Sequence, residues 1–353
     1  MKPFYTNDNG QLYFCDILAG LKAIPDKSVN CVITSPPYWQ LRDYGFPDQW
    51  GLEPTFQEYL EHLWQMMDEI WRVLKDDGTV WINLGDTYQS APVSGKQGGF
   101  SGKQARKNKE YGSTVNNVKK PQGQFKNKCL MLIPHRFAIG CIDRGWIMRN
   151  DIIWAKRNGM PESIRDRFSK KHEYIFFMVK QQKYYFDLDG IRDKTTTIET
   201  RTERIIYDSS KGDESNKTNT FIPPNPSGKN PGNVSDFWDK KPSTHNFPSH
   251  NNKSAYNKLG KNPGSVSDFW DIPTKPSSKK HYATYNFSLI DKCIIAGCPK
   301  GGTILDPFNG TGTTTLRAEQ LERKWIGIDG SKEYSEIAKK SMKDEFNQIK
   351  LEF

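Results

Sequence analysis

A serine, two prolines and a tyrosine end an apolar run near the start of the chain, in the stretch "VNCVITSPPYW". Proline cannot donate to a strand ladder and disfavours helical geometry in the residue before it, so the strand must end in a rigid turn. Such a turn holds the Ser35 hydroxyl, the Pro36 carbonyl and the Tyr38 ring at fixed positions. Taken alone, these residues are also compatible with a strand-ending turn whose aromatic side chains pack in the core.

A second group of residues lies in "TILDPFNGTGTTTLRAEQLERKWIGIDG", which has the order strand, glycine turn, helix, strand and acid. Gly310 and Gly312 would let the backbone approach a ligand, and Asp329 would bind ribose hydroxyls. The stretch lacks the third glycine of dinucleotide-binding loops, and Asp306 ends its first strand. An acid there suits a cationic ligand better than a pyrophosphate. The pattern predicts a nucleoside cofactor, and the sulfonium compound S-adenosylmethionine fits it.

The two motifs together indicate chemistry on a planar base that bears an exocyclic amine. The lone pair of such an amine is conjugated into the ring, so the nitrogen is a poor nucleophile. Hydrogen bonds from its N–H groups to the Ser35 hydroxyl and the Pro36 carbonyl would favour a pyramidal nitrogen, while the Tyr38 ring stacks on the base. In this interpretation Tyr38 contributes its ring and not its hydroxyl group.

The elements around the motifs predict a parallel sheet. The stretch "SVNCVITS" is typical of a buried strand, residues 56–75 have the apolar spacing of a helix, "KDDG" should stop that helix, and "TVWINLGD" predicts the next strand. A strand, a helix and a strand in this order imply parallel pairing. Further along, residues 129–156 predict a helix and a strand, "HEYIFFMVK" another strand, and residues 286–299 another helix.

The composition limits the class of protein. The chain has 353 residues and a formal net charge of +10, which fits one large domain, with or without an insertion, and either a nucleic-acid partner or a basic soluble surface. The cysteines form no CxxC pair and no zinc-spaced cluster with histidine, so we expect reduced core residues and no metal site. These cysteines are Cys15, Cys31, Cys129, Cys141, Cys293 and Cys298. The lack of a long apolar run predicts a cytoplasmic protein that neither is secreted nor enters a membrane.

Two polar regions interrupt the pattern of strands and helices. Residues 89–128 carry nine Lys or Arg and one acid, Glu110, and predict a long basic loop that either cradles a nucleic-acid backbone or is merely solvated. The region from about residue 195 to 280 contains a repeat, with "GKNPGNVSDFWD" beginning at Gly228 and "GKNPGSVSDFWD" at Gly260. Two copies are too few for a solenoid, so the repeat indicates a local duplication within an insertion.

Together these motifs resemble the beta class of amino-DNA methyltransferases, in which a (D/N/S)PP(Y/F) motif precedes a "DPF.G.GTT" cofactor motif. The similarity runs from about Tyr13 to Lys339 outside the polar regions and includes "RVLKDDGTVWINLGDTY", "DIIWAKRNGMPES" and "HYATYNFSLIDKCI". The resemblance implies an α/β fold: a Rossmann-like S-adenosylmethionine-dependent methyltransferase fold with permuted motif order. It divides the chain into a catalytic part (residues 1–190, with the basic loop), an inserted target-recognition region (191–280) and a cofactor-binding part of the same domain (281–353).

The resemblance also implies roles for individual residues. The catalytic residues would be Ser35, Pro36, Pro37 and Tyr38. Asp16 would contact the adenine of the cofactor, and Asp329 its ribose. Thr284 and Phe287 would lie against its methionine part. The pocket floor would be formed by Asp306, Phe308, Gly310, Gly312 and Thr313. The second copy of the repeat would occupy the target-recognition position, because it runs into "HYATY" as the family pattern does.

The implied function is methylation of an exocyclic amine in double-stranded DNA, with the target base flipped out of the duplex at a cost of roughly a few kcal/mol. A serine at the head of the motif favours N4 of cytosine over the alternative, N6 of adenine. A restriction-modification or phage/host DNA-protection context follows, with a homodimer and a cognate restriction endonuclease as candidate partners.

Other functions fit the sequence less well. Methylation of RNA or of a protein amide also uses an (N)PPY turn, but the motif order and the basic insertions argue against it. A non-enzymatic DNA-binding protein would need a broken catalytic turn, which this chain does not have. His135 and His172 could act as bases, but their sequence contexts favour packing or surface roles.

Overall fold

A computed structural model describes residues 1–89, 125–156, 166–168, 170–191, 204–206, 218–220, 268–273 and 287–351. The chain divides into two compact units, one formed by Met1–Asp187 with Asp268–Phe353 and the other by Leu188–Ser267. In the second unit, the described residues form a small antiparallel pair of strands. The first unit contains both motifs.

The elements follow the chain in this order: β1 (Tyr5–Thr6), β2 (Gly10–Phe14), α1 (Ile17–Lys22), β3 (Val29–Thr34), α2 (Phe56–Val73), β4 (Leu74–Leu84), α3 (Ile133–Asp143), β5 (Ile147–Ala155), β6 (His172–Val179), β7 (Arg204–Ile206), β8 (Thr218–Thr220), β9 (Phe269–Asp271), α4 (Phe287–Gly297), β10 (Thr303–Asp306), α5 (Thr313–Gln320), β11 (Lys324–Asp329) and α6 (Lys332–Leu351). The helices and strands predicted around the two motifs are confirmed.

The first unit contains a nine-stranded sheet in the order β1-β2-β11-β10-β3-β4-β6-β5-β9. The neighbouring strands from β2 to β4 run parallel, as the strand-helix-strand pattern predicts. Strand β6 runs antiparallel to β4 and β5. The carboxyl ends of the parallel strands and the amino end of β6 therefore meet at one edge of the sheet, which we call the carboxyl edge.

The central strands are buried on both faces because alternate residues point to opposite sides of a strand. Val32 of β3 and Val80 of β4 belong to one hydrophobic core with α1, α2 and α3. On the other face, the Thr79 hydroxyl donates to the Gly297 carbonyl of α4 at 2.9 Å. The Trp81 indole lies against Gly297 and leaves no room there for a side chain. Packing on both faces fixes the ends of these strands, where the motifs lie.

Helix α2 begins with a capping box, in which Thr55 and Glu58 each accept from the other's backbone N–H. Its predicted apolar face is buried, but the helix ends at Val73 and β4 begins at once with Leu74. The "KDDG" stretch predicted to stop the helix instead lies inside β4, where the register against β3 shifts. Extra residues in one strand of a pair are accommodated by such a bulge.

The cysteine prediction holds for the buried residues Cys31, Cys141, Cys293 and Cys298. It was wrong for the other two, because Cys15 is half-buried and Cys129 is exposed. Cys129 lies between β4 and α3, outside any strand or helix, and its side chain is exposed there. Among the described residues, no helix is long and apolar enough to cross a membrane.

The second copy of the repeat contributes the edge strand β9. Its residue Trp270 is buried and pairs with Trp154 of β5, and the Asp268 carbonyl accepts from the Ile153 N–H at 2.8 Å. The first copy, beginning at Gly228, lies outside the described residues. The end of the second copy is therefore part of the main sheet.

Candidate active site

The two motifs lie side by side at the carboxyl edge. Ser35 follows β3 and Asp306 ends β10, and these two strands pair in parallel through Leu305 and Val32. The Thr34 hydroxyl donates to Asp306 Oδ1 at 2.6 Å, and both residues are buried. The ends of β3 and β10, from which the Ser-Pro-Pro-Tyr turn and the glycine loop begin, are therefore linked by a direct buried hydrogen bond.

The Ser-Pro-Pro-Tyr turn is held from the side of α2. The Tyr59 hydroxyl donates to the Pro37 carbonyl at 2.8 Å. Gly51, with φ +92°, packs on the same proline, and a Cβ there would come within 3.1 Å of Pro37 Cβ. By contrast, no hydrogen bond between described residues ends on the Pro36 carbonyl. The turn thus leaves the Pro36 carbonyl without a partner among the described residues, next to Ser35, which is partly exposed.

The Tyr38 side chain is fixed at both its ring and its hydroxyl. The ring lies against Gly85, where an added Cβ would come within 2.6 Å of Tyr38 Cε2. The hydroxyl lies 2.7 Å from Glu173 Oε2 and 2.9 Å from Asn83 Oδ1. Burial raises the pKa of Tyr38 well above its ordinary value, and the neighbouring Glu173 adds to the rise. The hydroxyl is therefore a proton donor, and its anchoring is a feature that the sequence did not predict.

The glycine loop leaves open space where a ligand would approach. Gly310 has φ +52°, and a Cβ there would meet only the Phe308 carbonyl oxygen, at 4.0 Å. Gly312 has φ +87° and is the N-cap residue of α5, and a Cβ there would come within 3.1 Å of Ala338 Cβ. Both conformations are strained for a residue with a side chain. Thr313, the first residue of α5, follows directly.

Asp329 lies at the end of β11 and closes the glycine loop. Its Oδ2 accepts from the Gly310 N–H and its Oδ1 from the Ser331 N–H, each at 2.7 Å. Burial raises the pKa of Asp329 to about 6; the two backbone donors oppose this rise and the Asp306 carboxylate adds to it. Each oxygen keeps a lone pair for a further donor. A buried acid beside an open glycine loop fits a nucleoside whose ribose hydroxyls donate to it.

Two of the other predicted cofactor residues lie at the same edge. Asp16 follows β2, is exposed, and caps α1 by accepting from the Ala19 N–H at 2.9 Å. The Cys15 N–H next to it donates to the Asp329 carbonyl at 3.2 Å. The Phe308 N–H donates to Asp306 Oδ1 at 3.0 Å. The structure thus brings Asp16 and Phe308 together with Asp329.

The remaining cofactor predictions concern the chain before and within α4. Phe287 is the first residue of α4, is 37% exposed, and has the Arg317 guanidinium 5.4 Å from its ring centroid. Helix α4 ends at Gly297 beside Thr79 of β4, so it begins toward the carboxyl edge. Thr284 lies outside the described residues.

Three residues at the carboxyl edge were missed by the sequence reasoning. Thr34 links the two motifs, Asn83 lies at the end of β4, and Glu173 lies at the start of β6. Asn83 and Glu173 are polar residues near the ends of largely apolar stretches, "TVWINL" and "HEYIFFMV". A polar residue at the end of a buried strand that reaches the ligand-binding edge is the signal that could have identified them.

The two histidines have different surroundings. His172 Nε2 lies 3.1 Å from the Tyr174 hydroxyl, and burial lowers the pKa of His172. The His135 ring packs edge-on against Tyr174, with centroids 4.7 Å apart. Within the described ranges, no group of three or more His, Cys, Asp or Glu side chains could hold a metal ion.

Comparison with known proteins identifies the family. The N6_N4_Mtase family, described as DNA methylase, matches residues 29–340. The type II methyltransferase M.Cfr9I of Citrobacter freundii is 32% identical over 340 residues, which cover 96% of this chain and 89% of the relative. The type II methyltransferase M.SmaI of Serratia marcescens is 31% identical over 331 residues, covering 92% of this chain and 89% of the relative.

Solved structures share the fold. The PvuII DNA methyltransferase, which is cytosine-N4-specific, superposes with a TM-score of 0.58 at 17% identity, covering 96% of this chain and 88% of that one. A DNA modification methylase of Thermus thermophilus, solved in complex with S-adenosyl-L-methionine, gives a TM-score of 0.51 at 19% identity, covering 93% and 91%. The predicted methyltransferase fold is confirmed, and the chain belongs to the DNA methylase family.

Proposed function

We propose that this DNA methylase transfers a methyl group from S-adenosylmethionine to the exocyclic amine of a flipped base in double-stranded DNA, with N4 of cytosine as the target. The observation that carries the proposal is the Ser-Pro-Pro-Tyr turn, whose Ser35 hydroxyl and Pro36 carbonyl lie beside the glycine loop at one edge of the sheet. S-Adenosylmethionine, when bound, would supply the methyl group as an electrophile on a sulfonium centre: the S–CH3 bond would break as the N–CH3 bond forms, the sulfur would leave as a neutral thioether, and the methylated nitrogen would release one N–H proton.

The chain's own residues act on the amine. Ser35 and the Pro36 carbonyl accept its two N–H groups, which withdraws the nitrogen lone pair from conjugation with the ring. These acceptors interact more strongly with the positively charged nitrogen of the transition state than with the neutral amine, so they lower the barrier. Tyr38 holds the base by stacking.

The cofactor side of the site is formed by residues around the glycine loop. Asp329 receives the ribose hydroxyls, Asp16 the adenine, and Phe287 and Thr284 the methionine part. The floor is formed by Asp306, Phe308, Gly310, Gly312 and Thr313. In support, Asp329 is only 7% exposed, and the neighbouring glycine loop leaves open space at Gly310.

The choice of cytosine rests on Ser35 at the head of the motif. An Asp or Asn at this position is commoner among related enzymes that act on adenine N6. The cytosine-N4-specific PvuII enzyme has the same fold, which agrees with this choice, although a shared fold does not select the base. N6 of adenine is the alternative outcome of the test.

DNA binding involves the regions that interrupt the pattern of strands and helices. We assign residues 191–280 to target recognition, between a catalytic part at 1–190 and a cofactor-binding part at 281–353. The basic tract Lys96–Lys128 lies largely outside the described residues, and we assign it to the DNA backbone, where each phosphate contact makes the affinity depend on salt. The enzyme works in the cytoplasm to protect DNA, with a cognate restriction endonuclease and a second copy of the chain as candidate partners.

The test is modified-base sequencing of genomic DNA from cells that express the protein. We expect N4-methylcytosine at one recurrent sequence, and no such signal from cells that express the Ser35→Ala variant at the same level. N6-methyladenine would overturn the choice of base and retain the mechanism. DNA without any protein-dependent methylated amine would contradict the proposal.

A further inference from the structure

The catalytic turn shares a hydrogen-bond network with two strands that belong to neither motif. Asn83 of β4 has its Oδ1 within 2.9 Å of the Tyr38 hydroxyl and 3.4 Å of the Ser35 hydroxyl. Glu173 of β6 accepts from the Tyr38 hydroxyl through Oε2, at 2.7 Å, and pairs through Oε1 with Lys156. These side chains are partly or fully buried, so their hydrogen bonds are little weakened by water.

The orientation of the Asn83 amide is fixed by the hydrogen bond that its nitrogen makes. Its Nδ2 donates to the Tyr174 carbonyl at 3.0 Å, so its oxygen must face the turn. An amide oxygen is an acceptor only. The Ser35 hydroxyl, in donating to this oxygen, turns its lone pairs away from Asn83. Asn83 thereby makes Ser35 an acceptor, which is the state needed to receive an N–H of the target amine.

Two acceptors, Asn83 Oδ1 and Glu173 Oε2, lie within hydrogen-bond distance of the Tyr38 hydroxyl. A carboxylate is the stronger acceptor, and this one is also the closer. The Tyr38 hydroxyl therefore donates its hydrogen bond mainly to Glu173, and the Asn83 oxygen remains available to the Ser35 hydroxyl. Without Glu173, the Tyr38 hydroxyl would lose its charged acceptor and would be held by Asn83 alone, whose oxygen it would share with Ser35.

We propose that Asn83 and Glu173 are positioning residues, which fix Tyr38 and orient the Ser35 hydroxyl as an acceptor before the base enters. The inference rests on the proposed function and extends it to residues outside the Ser-Pro-Pro-Tyr turn. The Lys156 ammonium, 4.1 Å from the Trp154 ring centroid, holds the Glu173 carboxylate from the other side. The two residues act through Ser35 and Tyr38, and neither contacts the reacting nitrogen.

The test is a double-mutant cycle on the single-turnover rate of methyl transfer to DNA. The loss of one buried hydrogen bond to a charged group corresponds to about a tenfold slower rate, and we expect this loss in Glu173→Ala and in Tyr38→Phe. We expect the double variant to be no slower than the slower single variant, because both changes remove the same interaction. Glu173→Gln keeps an acceptor for Tyr38 and should recover most of the rate. Asn83→Leu, which leaves Ser35 without its acceptor, should be slower still.

Controls separate positioning from folding and from the proposed function. Each variant should keep the cofactor affinity of the unchanged protein and remain folded at the assay temperature, while Glu173→Ala, which leaves Lys156 unpaired, should unfold at a lower temperature. Glu69→Ala, which removes a partly buried glutamate paired with Arg72 on α2, should leave the rate unchanged. The proposal would be overturned if the rate reductions of the two single variants multiplied in the double variant, or if Glu173→Ala transferred methyl groups at an unchanged rate. If the protein without substitutions methylated no DNA, the proposed function itself would be overturned instead.

Discussion

Lowering the pH should weaken cofactor binding through Asp329. Burial raises the pKa of this carboxyl to about 6, whereas an unperturbed Asp has a pKa of about 3.9. Ionisation of Asp329 therefore costs folding free energy. The contribution that the protonated carboxyl makes to stability is lost as the pH rises through about 6. Ribose hydroxyls that donate to the carboxylate favour the ionised form, so the cofactor should bind best where Asp329 is already charged.

The magnitude follows from the same pKa. Above pH 7 most of the protein carries ionised Asp329 and the affinity should be constant. Below the pKa the affinity should fall with the ionised fraction, which gives a loss of about tenfold between pH 7 and pH 5. Calorimetric titration of S-adenosylmethionine into the protein at a series of pH values measures this directly.

Asp329→Asn is the matched control. Its side chain cannot ionise, so the pH dependence due to residue 329 should vanish. Its single oxygen can accept from either the Gly310 or the Ser331 N–H but not from both, so the affinity should be lower at every pH. An affinity that stays constant in the unchanged protein down to pH 5, or the same pH dependence in Asp329→Asn, would refute the assignment of Asp329 to the cofactor.

Three further predictions concern the cofactor loop, the turn and the DNA. Gly310→Leu should lower cofactor affinity by about tenfold or more with the fold retained, because φ is positive and the side chain fills open space; calorimetry showing unchanged affinity would contradict this. Ser35→Ala and Tyr38→Ala should slow single-turnover methyl transfer far more than they weaken cofactor binding, and full activity in Tyr38→Ala would reduce the turn to a structural element. Replacing basic residues of the 89–128 tract by Gln should flatten the slope of log affinity for DNA against log salt, whereas an unchanged slope would indicate a solvated loop. The residues to replace together are Lys103, Arg106, Lys107 and Lys109.

The sequence predicted the two motifs and the edge at which they meet. A proline after one buried strand and a glycine after another show where the two strands end. Parallel pairing places such strand ends at the same edge of the sheet. The Thr34–Asp306 hydrogen bond shows how close they lie. The interpretation of Tyr38 was incomplete, because stacking requires only the ring and says nothing of where the hydroxyl points.

The rest of the site depends on contacts between residues that are distant in the chain. Glu173 meets Tyr38 only because β6 runs antiparallel to β4 and brings its amino end to the carboxyl edge. Local pattern cannot predict this direction, because "HEYIFFMVK" would look the same in a parallel strand. The bulge at "KDDG" was missed for a related reason, since its turn-like composition also suits an irregular strand.

The central claim is that the Ser-Pro-Pro-Tyr turn directs a methyl group onto the exocyclic amine of a base in DNA. Single-turnover transfer of a labelled methyl group from S-adenosylmethionine to duplex DNA, followed by nuclease digestion, identifies the modified nucleoside. The account predicts N4-methylcytosine as the labelled product, with the Ser35→Ala variant transferring far more slowly. Label on a ring carbon, or no label in DNA, would contradict it.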